Sequence, residues 1–172
     1  MEDTKRIIIP SGSGKIRACV SERNFSYDYD QQLKIIKILY DQLCNRIVSD
    51  EFTNVALVPM TQQLRKKISG YKSQDTLKKL YNPDKFVKLE DVVKQLWDSN
   101  LQCIYCKKSV YVLYEIVREV QQWTLDRVDN SMGHNHDNVM VACLDCNLRR
   151  KTMYHERYAF TKTFTQVKKL DS

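Results

Sequence analysis

The chain has 172 residues, 42% of them hydrophobic, and a formal net charge of +7. That is enough for one domain or two small ones with a real core, and it excludes a wholly disordered chain. No apolar run approaches the ~20 residues that span a bilayer, and the opening MEDTKRIIIP lacks the basic-then-apolar layout of an export signal. The expectation is a soluble intracellular protein, cytoplasmic or nuclear, not secreted and without membrane association. The positive excess is spread along the chain, which fits either a polyanionic partner, nucleic acid first, or a plain basic surface.

Residues 1–26 read as a flexible basic arm, with Ile7 to Ile9 as a candidate short strand before Pro10. SGSGK at 11–15 is not a phosphate loop: the first glycine of that pattern is missing and Ile16 replaces the Ser/Thr. A strong helix is predicted at about 30–48, where Leu33, Ile36, Leu39, Tyr40, Leu43, Cys44 and Ile47 mark one face and Asp28 or Asp30 caps the start. Shorter helices are predicted at about 60–68, ending near Gly70, and at 73–81, from Ser73 to before Pro83. A further one at 89–99 repeats Leu89, Val92, Val93, Leu96 and Trp97. SGYKSQD between the second and third helices reads as a turn or a nucleic-acid contact loop. Arg65, Lys66, Lys67, Lys78 and Lys79 are phosphate contacts or solvated helix faces.

From residue 100 the pattern changes. VYVLY at 110–114, WTLDRV at 123–128 and VMVAC at 139–143 read as strands. A polar loop, DNSMGHNHDN, lies between the last two. A helix follows from Leu144 to Lys151, and a last one at about 154–167 turns Phe160, Phe164 and Val167 inward.

Four of the six cysteines form two CxxC pairs, Cys103 with Cys106 and Cys143 with Cys146, separated by 36 residues. Each pair can grip a tetrahedral zinc from a tight turn, and two pairs complete one site; a redox CxxC or a chance spacing is the plainer alternative. Cys19 and Cys44 read as unliganded thiols, Cys44 in the core. A strand, polar loop, strand and helix with a CxxC at the strand-to-helix junction bring Asp126 and Asn147 towards one point. A carboxylate and an amide oxygen are hard donors that suit magnesium and leave room for water and phosphate. Taken singly, each has a plainer use: Asp126 pairs with Arg127 or a lysine, and Asn147 caps its helix.

These residues resemble the HNH, or ββα-metal, nuclease superfamily, most closely its zinc-bearing members of the phage recombination endonuclease VII type. HNH proteins of large double-stranded DNA viruses are similar in SGYKSQD, QWTLDR, GHN, NV and CNLRR. The motif covers about residues 103–150, with a looser likeness back to about 60. The fold class is therefore expected to be α+β: a helical N-terminal region, 1–95, followed by a zinc-stapled ββα-metal domain, 96–172. The resemblance implies a structural Zn2+ on Cys103, Cys106, Cys143 and Cys146, and a catalytic Mg2+ or Mn2+ on Asp126 and Asn147. It implies a loop-bracing role for Asn138, and DNA as partner, with Arg149, Arg150 and Lys151 on the phosphates or on a solvated helix face.

The family's general-base histidine directly follows the metal-binding aspartate; here that position is Arg127, which stays protonated and suits a phosphate clamp instead. His134 and His136 are the candidates for the base, His134 preferred, with loop structure as the plain alternative for both.

The sequence thus supports a metal-dependent HNH endonuclease acting on DNA, with branched or nicked duplexes as candidate substrates. Its helical first half contacts DNA or forms a homodimer. The alternatives are a catalytically inactive zinc-stabilised nucleic-acid-binding or virion protein, motivated by Arg127, and a zinc-ribbon interaction module. The 36-residue gap is long for the last. A viral chain would act in a viral factory or a virion.

Overall fold

The computed structural model describes residues 28–46 and 51–164. The arm at 1–26, Cys19, residues 47–48 of the first predicted helix and residues 165–167 of the last lie outside the described residues. The fold is α+β: helices first, then an antiparallel hairpin and further helices, with the four cysteines bridging hairpin and helix. No helix among the described residues is long and apolar enough to cross a membrane.

α1 (Tyr29–Leu43) begins at Asp28, whose Oδ1 accepts from the Gln31 backbone at 2.8 Å while the Gln31 side chain accepts from the Asp28 backbone at 3.2 Å. This reciprocal cap satisfies two donors that a helix start leaves unpaired. Gln32, Ile35, Ile36 and Leu39 face inward. Cys44 is exposed, contrary to the core position expected for it, because the helix ends at Leu43 and Asn45 adopts a left-handed conformation, φ 55°.

α2 (Glu51–Leu77) is one helix where two shorter ones are predicted. Gly70, read as a stop, sits mid-helix with nothing within 4 Å of where a Cβ would be. A helical glycine costs about 1 kcal/mol against alanine. Burial of Leu57, Met60, Leu64 and Tyr71 on both sides of it outweighs that, since a fully buried large side chain contributes about 1.5–3 kcal/mol. SGYKSQD is therefore helical rather than a turn or a contact loop.

α3 (Leu89–Asp98) buries Val92, Val93 and Leu96 completely and packs against α1, α2 and the second strand of the hairpin. VYVLY is not a strand. Its backbone is satisfied by a buried side chain instead: Gln32 Oε1 accepts from the Val112 and Leu113 amides at 2.8 and 2.9 Å, and Gln32 Nε2 donates to Leu113 O at 3.0 Å. A glutamine from α1 thus makes the bonds a neighbouring strand would make, and among the described residues this segment has a single bridge, Tyr111 to Gln122.

β1 (Trp123–Arg127) and β2 (Val139–Cys143) pair antiparallel from Trp123 opposite Cys143 to Arg127 opposite Val139. α4 (Leu144–Arg150) follows β2 without a linker, capped by Cys143, whose Sγ accepts from the Cys146 amide at 3.4 Å. α5 (His155–Phe164) buries Tyr158 edge-on to Tyr105, centroids 5.0 Å apart. Phe160 and Phe164 do not turn inward as predicted; both are exposed and stack edge-on with each other, because the Tyr158 side of the helix is the one that meets the core. One cluster of buried residues runs from Ile35 on α1 to Tyr158 on α5.

Candidate active site and metal centre

The two CxxC pairs meet as expected. The sulfurs of Cys103, Cys106, Cys143 and Cys146 all lie within 4.8 Å of one another. Cys103 and Cys106 sit on a tight turn in which the Lys107 amide returns to Cys103 O and Lys107 is left-handed, φ 59°. The Ile104 amide donates to Val141 O at 2.9 Å and docks that turn on β2. Cys143 ends β2 and Cys146 lies in the first turn of α4. Among the sulfurs charge is shared unevenly: a hydrogen bond with Cys143 pulls the Cys103 thiol down to about 5, while that bond and burial push Cys143 up. A divalent cation removes the conflict by taking all four as thiolates. Four sulfurs, mostly buried and this close, suit a structural Zn2+.

The cysteine cluster sets the angle between β1 and α4, and the inner face of α4 reads out on β1. Asn147 Nδ2 donates to Thr124 Oγ1 at 3.0 Å and to Leu125 O at 3.4 Å. The carbonyl accepts only, so the amide nitrogen must face it, and Asn147 Oδ1 is turned away from the strand. One turn further on, Arg150 is 2% exposed and grips Asp126 with two bonds: Nε to Oδ2 at 2.6 Å and Nη2 to Oδ1 at 2.7 Å. The Tyr105 hydroxyl donates to the same Oδ2 at 2.7 Å. Remaining guanidinium donors reach Arg127 O, Asn130 Oδ1 and Met153 O.

Arg150 is thus not on the exposed basic face predicted for it beside Arg149 and Lys151. Helical spacing puts Cys146 and Arg150 on the buried side, and a buried guanidinium requires an anion, which is Asp126. Arg149 and Lys151 are exposed, Arg149 paired with Asp145 at 2.7 Å.

The loop between the strands is tied down from within. Asn138 Oδ1 accepts from the Asp129 amide at 2.9 Å, and its Nδ2 donates to Asp129 O and Gly133 O. Arg127 Nη1 donates to Met132 O at 3.0 Å and Asn130 O at 3.3 Å, so this group holds loop carbonyls. The two loop histidines part company. His136 is exposed and is fixed through its backbone to Lys85 O and the Gln95 side chain. His134 is 5% exposed and faces Asp75 on α2.

That contact is the last rung of a ladder. Gln63, Lys67, Tyr71 and Asp75 recur every four residues on α2, hence on one face. Gln63 Nε2 donates to the Tyr114 hydroxyl at 3.0 Å, and Lys67 Nζ donates to Trp123 O. Tyr71 Oη accepts from the Leu125 amide at 3.0 Å, and Asp75 bonds His134. Burial holds the Lys67 ammonium down to about 7, even though it lies over the Tyr114 and Trp123 rings. Gly133 lets the loop come this close: a Cβ there would meet Leu80 O at 2.5 Å and Asp75 Oδ2 at 2.8 Å.

Between α2 on one side and β1 with α4 on the other lies a cavity of about 680 Å³. Asp126, Arg127, His134 and Asn147 all line it, Lys67 lies in its wall, and Lys66, Lys78 and Lys151 give it a basic rim. Asn138 and His136 are not on its wall. No protein-family model matches the chain, and neither a curated protein nor a solved structure matches it.

Sequence reasoning missed the roles of Asp75 and Tyr71, and Lys67, read as a phosphate contact or a solvated helix face, is instead largely buried on Trp123 O. The signal was there as a polar stripe at four-residue spacing, but it is visible only when the helix is read straight through Gly70.

Proposed function

We propose that the chain is a metal-dependent endonuclease of the HNH type that hydrolyses DNA phosphodiester bonds, with branched or nicked duplexes as substrates. The observation that carries this reading is the cavity, where a carboxylate, an amide oxygen and an imidazole share one space within a basic rim. A rim of lysines favours a polyanion, and strand backbones are recognised through such phosphate contacts.

Asp126 and Asn147 are the residues that would hold magnesium or manganese. Asp126 Oδ1 accepts a single hydrogen bond, and Asn147 Oδ1 faces away from β1, so both keep lone pairs for a hard cation. An ion bound there supplies charge stabilisation at the phosphate and at the leaving oxygen. His134 is the base: burial lowers its pKa below the usual histidine value, which keeps the imidazole neutral near pH 7. Its ring takes a proton from a water molecule, the water oxygen bonds phosphorus, and the phosphorus bond to the leaving oxygen breaks. The leaving oxygen then takes a proton from solvent. Lys66, Lys78 and Lys151 hold the flanking phosphates.

The test is incubation of zinc-loaded protein with supercoiled plasmid and with four-way junctions, in magnesium or manganese, beside Asp126→Asn and His134→Ala. Cleavage by the wild type and loss of about 10²–10⁴-fold in the His134 variant is the result expected for a general base. Equal cleavage by both variants would sink the reading.

A second reading has its own observation. The Asp126 carboxylate is held by Arg150 in a bidentate pair, so a bound cation must share it with a guanidinium. This favours a zinc-stabilised protein that binds nucleic acid without cutting it. It predicts salt-sensitive DNA binding and no cleavage with any divalent metal.

A further inference from the structure

We propose that Asp75 is a positioning residue that locks His134 in its Nδ1–H tautomer and presents Nε2, unprotonated, to the cavity. The inference rests on the nuclease reading for its catalytic consequence, though not for its structural content.

Asp75 is fully buried, and it offers both oxygens to the same residue. Oδ2 accepts from the His134 backbone amide at 2.6 Å, and Oδ1 lies 2.8 Å from His134 Nδ1. A carboxylate is an acceptor only, so the group facing Oδ1 must carry the proton. Nδ1 is therefore the protonated nitrogen in the neutral ring, which leaves the lone pair on Nε2. Tyr71 stacks on the imidazole with centroids 4.4 Å apart and planes 24° apart, and this fixes the ring's rotation. Nε2 has no hydrogen-bond partner among the described residues, and His134 lines the cavity with Asp126 and Asn147.

A purely structural clamp does not account for the choice of an acid. An amide oxygen would satisfy the His134 backbone donor equally well, and burying a carboxylate costs far more than burying an amide. The carboxylate is required only if both facing groups are donors. The other charges near the ring are Arg127 from the end of β1 and Lys78 beyond α2, and both oppose protonation. Asp75 thus orients the imidazole while burial and these cations keep it neutral. The arrangement also supplies, from 59 residues away, the support that a base needs when the residue after Asp126 is an arginine.

Asp75→Asn reverses the logic with almost no change of shape. The amide oxygen takes the backbone donor, the NH2 group faces Nδ1, and the proton is driven to Nε2. The experiment is long-range proton–nitrogen NMR of the His134 ring in the zinc-loaded full chain, beside single-turnover cleavage. The expected result is the Nδ1–H tautomer in the wild type and the Nε2–H tautomer in Asp75→Asn. Zinc content and DNA affinity stay unchanged, while the cleavage rate falls by about 10²–10⁴-fold. An Nε2–H tautomer or an imidazolium in the wild type at pH 7 would overturn the inference, as would an unchanged tautomer in the variant. If Asp75→Asn does not fold, the wild-type tautomer decides alone. If the wild type cuts no DNA, the nuclease reading fails while the tautomer still decides the role of Asp75.

Discussion

The β1–α4 wall of the cavity and the α2 wall are held in place by different physics. The first is set by sulfurs between Cys103 and Cys146 that converge on one point, and by a buried ion pair across the strand-to-helix junction. The second is a long helix whose side chains reach across sequence separations of 51 to 59 residues, one polar contact per turn. Each such contact is worth about 0.5–1.5 kcal/mol net, against a metal site that supplies most of the folding energy of small zinc domains. The difference sets a wall pinned by sulfur and an ion pair, which carries Asp126 and Asn147, against a helical wall whose Asp75 and Tyr71 hold His134 on the hairpin loop.

Removing the metal is the most severe way to break this contrast. Structural zinc contributes an apparent ~10 kcal/mol or more to small metal-dependent folds. Chelation, or Cys146→Ser, is therefore expected to abolish cooperative melting of the hairpin and α4, read by calorimetry with and without chelator. A protein that melts unchanged after zinc stripping would show that the β1–α4 wall does not depend on its sulfurs.

The ion pair is next. Arg150→Met leaves the Asp126 carboxylate buried with the Tyr105 hydroxyl as its remaining side-chain donor, and breaking such a pair from one side costs about 3–5 kcal/mol. Urea titration reads this directly.

On the α2 wall, Lys67 gives a pH signature. The unfolded chain holds this proton up to about 10.4, while the folded chain releases it at about 7. Between these values the unfolded state binds more protons, so stability rises with pH across that window, by roughly 2–4 kcal/mol in total. Lys67→Met should flatten the rise, as measured by denaturant midpoints between pH 6.5 and 10.5.

The smallest effect sharpens the boundary between walls. Gly133→Ala forces a Cβ against Leu80 O and the Asp75 carboxylate, and overpacking of this kind costs about 1–3 kcal/mol. Amide exchange should report the loss in the 129–138 loop first.

The parts that could be read in the sequence are those whose signal is local. Two CxxC turns name their own ligand type, and two short strand-like runs, WTLDR and VMVAC, on either side of a polar loop mark the hairpin. α2 was hidden because Gly70 reads as a helix end and Ser73 as the cap of a new helix, and only burial of Leu64 and Tyr71 on either side overrides them. VYVLY has strand composition, yet its hydrogen bonds go to Gln32, a partner that no window of sequence contains. Arg149, Arg150 and Lys151 are three cations in a row. Which of them turns inward depends on the phase of α4 against β1, and that phase is fixed by the cysteine cluster. Asp75 was beyond reach for the same reason as α2: its partner lies across a boundary that the sequence places at Gly70.

The side chains that meet β1 also decide what else this protein can pair with. A two-stranded hairpin offers an outer edge of unpaired backbone groups, the usual template for adding a strand from another molecule. Here Trp123 O, Leu125 N and Arg127 O are taken by Lys67, Tyr71 and Arg150. β1 is therefore closed to strand exchange and to edge-to-edge aggregation, without a third strand having been built to cover it.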